Sequence, residues 1–127
     1  MKQVITAEQL QELSEEQKER LRDWWEVQEG DRFFAKGLWE DIAGKSGPGC
    51  VENFDCEGLS YKKENCLPLL SVGQCIELLH GKFAETISIE YSKHWDQWFV
   101  SSDRTDEPET EAGEIIDALW EAVKAVL

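Results

Sequence analysis

Four cysteines and two histidines carry the most reactive side chains of this chain. They are Cys50, Cys56, Cys66, Cys75, His80 and His94. A thiolate beside an imidazole provides a nucleophile with its general base, and several such groups together provide a zinc site. The spacing favours neither, because no two cysteines form a Cys-x-x-Cys pair and the histidines are not paired with each other. We therefore expect free, mostly structural cysteines, no catalytic residue and no metal ion.

Two other segments imitate binding motifs without completing them. Ala43-Gly44-Lys45-Ser46 is similar to the end of a phosphate-binding P-loop, but Trp39 stands where that motif requires its first glycine. If an EF-hand loop began at Asp103, Glu114 would fill its twelfth position, but Pro108 would take the sixth, where a glycine is needed. We therefore expect no cofactor and no calcium site.

The charge of the chain limits its partners more than any motif does. It has 27 acidic and 13 basic side chains, a net charge of −14 in 127 residues. Phosphate backbones and anionic lipid repel such a protein, which argues against direct binding to nucleic acid or to a membrane surface. A positively charged surface on another protein is the partner that this charge favours.

Length and composition predict one folded domain over 1–127. Apolar residues make up 41% of the chain, and six tryptophans and five phenylalanines provide a core despite the high charge. The chain turns polar soon after Met1, and no apolar run approaches the roughly 18–20 residues of a membrane span. We expect a soluble protein in the cytoplasm, without contact to a membrane.

The first part of the chain predicts short helices, a hairpin and a loop. Thr6 with Gln9, and Ser14 with Gln17, have the spacing of capping boxes that open two helices. A two-residue turn at Lys36-Gly37 separates two short strands, Arg32–Ala35 and Leu38–Ile42. Beyond them, a mobile loop over about 43–67, with at most one edge strand, contains most of the cysteines.

The second part predicts two longer helices around a pair of strands. A helix spans Leu70–His80, with Ser71 as its N-cap and Gly81 ending it. Alternation over Thr86–Tyr91 predicts a strand, and Trp95 to Val100 is its partner. The buried face of that partner is either Trp95/Gln97/Phe99 or Trp98/Val100. An acidic loop follows over about 102–110, and an amphipathic helix runs from about Thr110 to Leu127.

These elements predict the α+β class. We expect a small antiparallel sheet of three to five strands, packed against two main helices, with the short N-terminal helices at an edge. The two main helices are Leu70–His80 and the C-terminal helix.

Three segments of the chain stand out together: Leu67-Pro68-Leu69-Leu70-Ser71-Val72-Gly73-Gln74 with Ile76-Glu77-Leu78-Leu79, the terminal Asp117-Ala118-Leu119-Trp120-Glu121-Ala122-Val123-Lys124, and Trp24-Trp25 before Gly30-Asp31. They resemble segments of small, uncharacterised phage and prophage proteins of Gram-positive bacteria. The resemblance covers about a third of the chain and leaves out its cysteine-bearing loop. It implies a phage or prophage setting in a host cell and a shared fold, and it implies no reaction and no catalytic residue.

Tryptophans near acidic residues are the candidates for partner binding, because exposed tryptophans concentrate binding energy at interfaces. The candidates are Trp39, Trp95, Trp98, Asp103, Asp106 and Glu107. The alternative is that the six tryptophans only fill a small core, which is the commoner role of large aromatic residues.

The leading hypothesis is therefore a non-enzymatic, phage- or prophage-encoded acidic interaction protein that docks on a basic surface of a host or phage protein. One alternative is a small hydrolase or metal-dependent enzyme that uses the loop cysteines and histidines. Another is a structural or assembly component that dimerises through exposed aromatic residues. The sequence leaves the oligomeric state, the partner and the pathway open.

Overall fold

The computed structural model describes residues 2–28, 30–35, 40–42, 53–56, 59–82, 87–102 and 109–127. Within these ranges, the side chains of 40–42, 53–56, 59–63, 82 and 102 are not described. The chain divides into two compact units: a first unit, Thr6–Leu69, and a second unit, Met1–Ile5 with Leu70–Leu127. The single domain over 1–127 stays a prediction.

The first unit begins with two helices and continues with five strands. The elements are α1 (Ala7–Leu10), α2 (Glu15–Trp24), β1 (Arg32–Ala35), β2 (Glu40–Ile42), β3 (Asn53–Cys56), β4 (Leu59–Lys62), a 3-10 turn (Lys63–Asn65) and β5 (Cys66–Pro68). The order β2-β1-β5 makes one antiparallel sheet, and β3 and β4 pair in another. The pairing of β1 with β2 confirms the first predicted strand and the part of the second over Glu40–Ile42. Leu38, Trp39 and the predicted turn lie outside the described residues.

Both predicted capping boxes are confirmed at the starts of α1 and α2. The Thr6 hydroxyl accepts from the Gln9 amide at 3.2 Å, and the Gln9 side chain accepts from the Thr6 amide at 2.9 Å. Ser14 and Gln17 exchange the same two bonds at 3.2 and 2.9 Å. Each pair satisfies amide groups that the first turn of a helix leaves without an internal partner.

Strands occupy part of the range 43–67, for which the sequence predicts a loop. The pairs run from Asn53↔Lys62 to Cys56↔Leu59, and β5 pairs with β1 through Leu67↔Phe34. Each of these strands has only three or four residues, so the alternation of apolar and polar residues is too short to stand out from the surrounding glycines. Residues 43–52 and 57–58 lie outside the described residues.

A cluster built around two aromatic side chains is part of the core of the first unit. Trp25 and Phe33 are almost fully buried, with ring centroids 6.4 Å apart, and Ala35 and Cys66 join them. Helix α2 packs on β5, where the Arg22 Nε donates to the Cys66 carbonyl at 3.2 Å. The core therefore joins the helix to the sheet, and two of its members come from β1.

The polar edge of Trp25 is held by the turn that follows α2. Its indole N–H donates to an Asp31 carboxylate oxygen at 3.0 Å, and the same oxygen accepts from the Gln28 amide at 3.0 Å. Gly30 adopts a φ of 91° between them, a left-handed conformation that glycine reaches without strain. One carboxylate thus fixes both the turn and the buried indole.

Replacing Asp31 tests this arrangement. We expect Asp31→Ala to lower the free energy of unfolding by about 1–3 kcal/mol, because the buried indole N–H loses this acceptor. Asp23→Ala is the matched control, since Asp23 is exposed, and it should stay within about 0.5 kcal/mol of the wild type. Urea unfolding measures both, and equal effects would contradict the role given to Asp31.

The second unit contains a three-stranded sheet and two helices. The elements are α3 (Val72–Lys82), β6 (Ile87–Ser92), β7 (Gln97–Ser102), β8 (Thr110–Ala112) and α4 (Ile115–Val126). The order β6-β7-β8 is antiparallel throughout. Helix α4 packs against α3, β7 and β8. Among the described residues, the whole chain thus has sheets of three, two and three strands, and the predicted α+β class is confirmed.

The start of the second unit is tied down by its own backbone. Ser71 caps α3 as predicted, accepting from the Gln74 amide at 3.2 Å while Gln74 accepts from the Ser71 amide at 3.0 Å. Val4 makes an isolated antiparallel bridge to Ser71, and the Ile5 amide donates to the Leu70 carbonyl at 3.0 Å. Helix α3 continues through Gly81 and ends at Lys82, so the predicted end of the helix at Gly81 is wrong by one residue.

The last helix begins later than predicted. Thr110 to Ala112 form strand β8 instead, where Thr110 pairs with Val100 and Ala112 pairs with Trp98. The Thr110 hydroxyl also donates to the Ala118 carbonyl at 2.7 Å. Helical periodicity alone assigns Thr110–Ala112 to the helix, but the backbone of this segment pairs with β7 instead. Helix α4 therefore starts at Ile115, after the extended Glu114.

Among the described residues, no helix has both the length and the apolar composition that crossing a membrane requires.

Candidate functional site

Two of the six candidate partner-binding residues lie among the described residues. Trp95 and Trp98 are both in the hairpin of β6 and β7. Trp39, Asp103, Asp106 and Glu107 lie outside the described residues, as does the acidic loop over 103–108. The site is therefore built from the second unit.

Trp95 stands in the turn between β6 and β7, which corrects its predicted place in a strand. The cross-strand pair Ser92↔Gln97 leaves four residues, 93–96, in the turn. The last of them, Asp96, adopts a φ of 50°, a left-handed conformation that aspartate tolerates better than most residues. Trp95 is 67% exposed, and the ring of His94 meets it edge-on at a centroid distance of 4.7 Å.

Trp98 points to the opposite side of the hairpin. Val100, two residues along β7, is fully buried, and its cross-strand partner Thr110 bonds to α4. Since side chains two apart share a face, Trp98 and Val100 both face α4. The structure thus decides between the two predicted buried faces of this strand in favour of Trp98/Val100.

The alternate side chains of the two strands form a face directed away from α4, which we call the open face; they are Ser88, Glu90 and Ser92 on β6 and Gln97, Phe99 and Ser101 on β7. At its centre lies the half-buried Phe99, in register with Glu90 on β6 and Glu111 on β8. Both glutamates are exposed. Cross-strand partners project from the same face of a sheet, so each glutamate flanks the phenylalanine ring.

A groove of about 330 Å³ lies on the open face. Trp95 and Phe99 are the aromatic side chains of the open face that line it, and its polar lining is Glu90, Ser92, Ser101 and Glu109. Tyr91 also borders the groove, with its ring on the face of its cross-strand partner Trp98. No lining residue is basic. Of the predicted candidates, Trp95 lines this groove and Trp98 does not. Sequence reasoning missed Glu90, Phe99 and Glu109, although the alternation along the two strands places Glu90 and Phe99 on one face.

One contact holds the turn that presents Trp95. The Tyr91 hydroxyl donates a hydrogen bond to the Asp96 carboxylate, and the Tyr91 ring packs on Trp98 with centroids 5.2 Å apart. The Trp95 amide donates to the Ser92 hydroxyl at 3.4 Å. The hydrogen bond to Asp96 raises the pKa of Tyr91, and partial desolvation and the carboxylate charge raise that pKa further.

The described cysteines are placed as core residues. Cys66 and Cys75 are free and buried. Burial raises the pKa of the Cys66 thiol to about 11 despite the nearby Arg22 guanidinium, and burial raises the pKa of Cys75 to about 12. Because the thiolate is the reactive form, neither group is a ready nucleophile or metal ligand at neutral pH. Cys50 and the side chain of Cys56 lie outside the described residues.

The histidines of the described part of the chain are both on the surface. His80 near the end of α3 and His94 in the hairpin turn are exposed. Among the residues with described side chains, no three His, Cys, Asp or Glu residues gather as metal ligands would.

Comparison with family models, with curated proteins and with solved structures finds no match for this chain.

The buried thiols lead to a first prediction for this region. We expect Cys66 and Cys75 to resist alkylation in the folded protein near neutral pH and to react fully in denaturant, as read from the modified peptides by mass spectrometry. Peptide-level detection separates them from Cys50 and Cys56. Equal rates in both states would contradict their burial.

The raised pKa of Cys75 also predicts a pH dependence. The folded state keeps the thiol proton up to about pH 12, whereas the unfolded chain releases it above the ordinary value of 9.0. This contribution to stability is complete below pH 9.0 and declines above it, by up to about 1.4 kcal/mol per pH unit. Urea unfolding at a series of alkaline pH values should show a shallower decline for Cys75→Ala than for the wild type.

The bond between Tyr91 and Asp96 predicts a shifted phenol titration. The chain has two tyrosines, so Tyr61→Phe leaves Tyr91 as the only phenol. In that background we expect Asp96→Asn to lower the pKa of Tyr91 toward its usual 10.0, since the amide carries no charge. Ultraviolet absorbance follows the phenolate, and Glu8→Gln, at an exposed position of the first unit, is the control that should leave the midpoint unchanged.

Proposed function

We propose that this chain is a non-enzymatic, acidic interaction protein that docks through the open face on a basic surface of another protein. The observation that carries this proposal is the open face itself, where Glu90 and Glu111 flank Phe99 across the sheet. Exposed aromatic side chains give affinity at interfaces, and matched charges give a fast and selective encounter.

The charge of the whole chain supports the same kind of partner. At −14 the protein attracts a basic surface over a distance of about 8–10 Å at moderate salt. The same charge disfavours phosphate backbones, so we propose no direct contact with nucleic acid. A phage or prophage setting, a host or phage protein as the partner and the cytoplasm of the host cell as the location stay predictions.

The placement of the described cysteines supports the non-enzymatic part of the proposal. Cys66 and Cys75 are buried with raised pKa values, and a catalytic thiol instead needs access and a lowered pKa. The alternative of a small hydrolase or metal-dependent enzyme stays a prediction that concerns Cys50 and Cys56. Elemental analysis for a bound metal ion and a screen for hydrolysis, each on the wild type and on Cys50→Ser/Cys56→Ser, would test it.

A binding assay with matched charge variants tests the proposal. The probe is a labelled peptide rich in lysine and arginine, and peptides of reversed and neutral charge serve as references. We expect Glu90→Gln/Glu109→Gln/Glu111→Gln to weaken binding of the basic peptide by about tenfold, as the loss of three modest surface attractions implies. The control is Glu8→Gln/Glu16→Gln/Glu26→Gln, which removes as much charge from exposed positions of the first unit.

Salt and self-association complete the test. Binding should weaken strongly as NaCl rises from about 50 to 500 mM, because salt screens attraction between exposed charges. An affinity that does not change with the NaCl concentration would refute docking through the open face. Equal weakening of binding by both triple variants would refute it too. Light scattering addresses the assembly alternative: a dimer that Trp95→Leu dissociates would assign the exposed tryptophan to self-association instead.

A further inference from the structure

We infer that the groove on the open face is a seat for one cationic side chain, the ammonium of a lysine or the guanidinium of an arginine, carried by the partner. This inference rests on the proposed function and states what the docking surface recognises. Trp95 and Phe99 line the groove with aromatic rings, and Glu90 and Glu109 line it with carboxylates.

The size of the groove fits a side chain better than a larger element. Its volume of about 330 Å³ lies at the lower end of the roughly 300–1,000 Å³ that ligand pockets span. A helix laid across a surface needs a long apolar trough, and here four of the seven lining residues are polar. A single long side chain with an apolar stem and a charged head matches this mixed lining.

The chemistry of the lining residues favours a ligand with a positive charge. The faces of tryptophan, tyrosine and phenylalanine rings attract cations, and this attraction grows where water is displaced. Glu90 and Glu109 are exposed carboxylates that add a second attraction. The same carboxylates repel a phosphate or a carboxylate ligand. Lys93 and His94 occupy the adjoining turn, and neither lines the groove.

The structure holds the aromatic part in place before any ligand arrives. The hydrogen bond from Tyr91 to Asp96 spans the turn, and the Ser92 hydroxyl accepts from the Trp95 amide. A side chain that is already positioned loses less freedom on binding. The exposed Trp95 is therefore available to cover an incoming cation without rearrangement of the strands.

Short peptides with one variable side chain test the inference. The host is an uncharged peptide of glycine and serine with blocked ends, and its central residue is arginine, citrulline, lysine or norleucine. Citrulline keeps the shape of arginine without its charge, and norleucine keeps the stem of lysine. Binding is followed in the nuclear magnetic resonance spectrum of the folded protein by the backbone amide resonances of β6 and β7, which every variant retains. In the wild type, the indole N–H resonance of Trp95, assigned with Trp95→Leu, reports contact with that ring.

We expect the arginine and lysine peptides to bind at least about fivefold more tightly than citrulline and norleucine, from the loss of one cation–π and carboxylate contact. Glu90→Gln/Glu109→Gln should lower the affinity for the charged peptides about tenfold and leave the affinity for the neutral peptides unchanged. Trp95→Leu should weaken the charged peptides too, whereas Glu8→Gln/Glu16→Gln should not. Equal affinity for charged and neutral peptides, or no response to the groove variants, overturns the inference.

The outcomes also separate this inference from the proposed function. Salt-sensitive docking of the lysine- and arginine-rich peptide that persists unchanged in Trp95→Leu and in Glu90→Gln/Glu109→Gln overturns the cation seat and leaves charge-driven docking standing. Selective binding of the arginine and lysine peptides without salt-sensitive docking of the longer basic peptide supports the seat and refutes the docking role.

Discussion

Among the described side chains of strand β7, Val100 alone is completely buried, and this burial determines what the rest of the hairpin can present. Side chains alternate along a strand, so Phe99 must point away from α4 once Val100 points toward it. A shift of one residue would exchange the two faces and bury Phe99 against the helix. The hydrogen bond from the Thr110 hydroxyl to the Ala118 carbonyl, at 2.7 Å, joins the same face to α4. The register of the sheet, the core of the second unit and the composition of the open face thus depend on one packing choice.

The acidic charge of the chain is left on its surface by the way the core is built. Among the residues with described side chains, none that is buried is polar or charged. Carboxylates in water stay ionised at little cost, and their repulsion is screened by salt. Ion pairs such as Lys2 with Asp117, at 2.6 Å between Nζ and Oδ1, are partly exposed and contribute at most about 1 kcal/mol each. Apolar packing therefore holds the fold, and the charge remains available for recognition.

Local signals along the chain predict the starts of α1, α2 and α3 and the class of the fold. The capping boxes at Thr6, Ser14 and Ser71 could be identified because their partners lie three residues away in sequence. The start of α4 was wrong because Thr110–Ala112 pairs with β7, and such pairing depends on a strand about ten residues away in the chain. Trp95 was assigned to a strand because its apolar character matches one, whereas the left-handed Asp96 closes the turn beyond it.

The candidate site was only partly predictable for the same reason. Trp95 was identified by residue type, since exposed tryptophan beside acidic residues is a known interface signal. Glu90 and Phe99 were missed because their meeting depends on the cross-strand register, which aligns them only when the turn contains four residues. Glu109 was missed because its approach depends on the pairing of β8. The sequence therefore predicts Trp95 as a lining residue of the groove, whereas Glu90, Phe99 and Glu109 become lining residues only through the pairing of the strands.

The exposure of Trp95 supports the proposal that the acidic surface serves recognition and does more than keep the protein soluble. Charge alone keeps a protein soluble, and a large exposed aromatic side chain works against that effect. In this hairpin the exposed indole is held in a turn whose geometry is fixed by the bond between Tyr91 and Asp96. A turn that only connected two strands would be built as well from glycine and asparagine. An exposed aromatic ring and two carboxylates that line the same groove are instead the groups that the proposed binding of a cation would use.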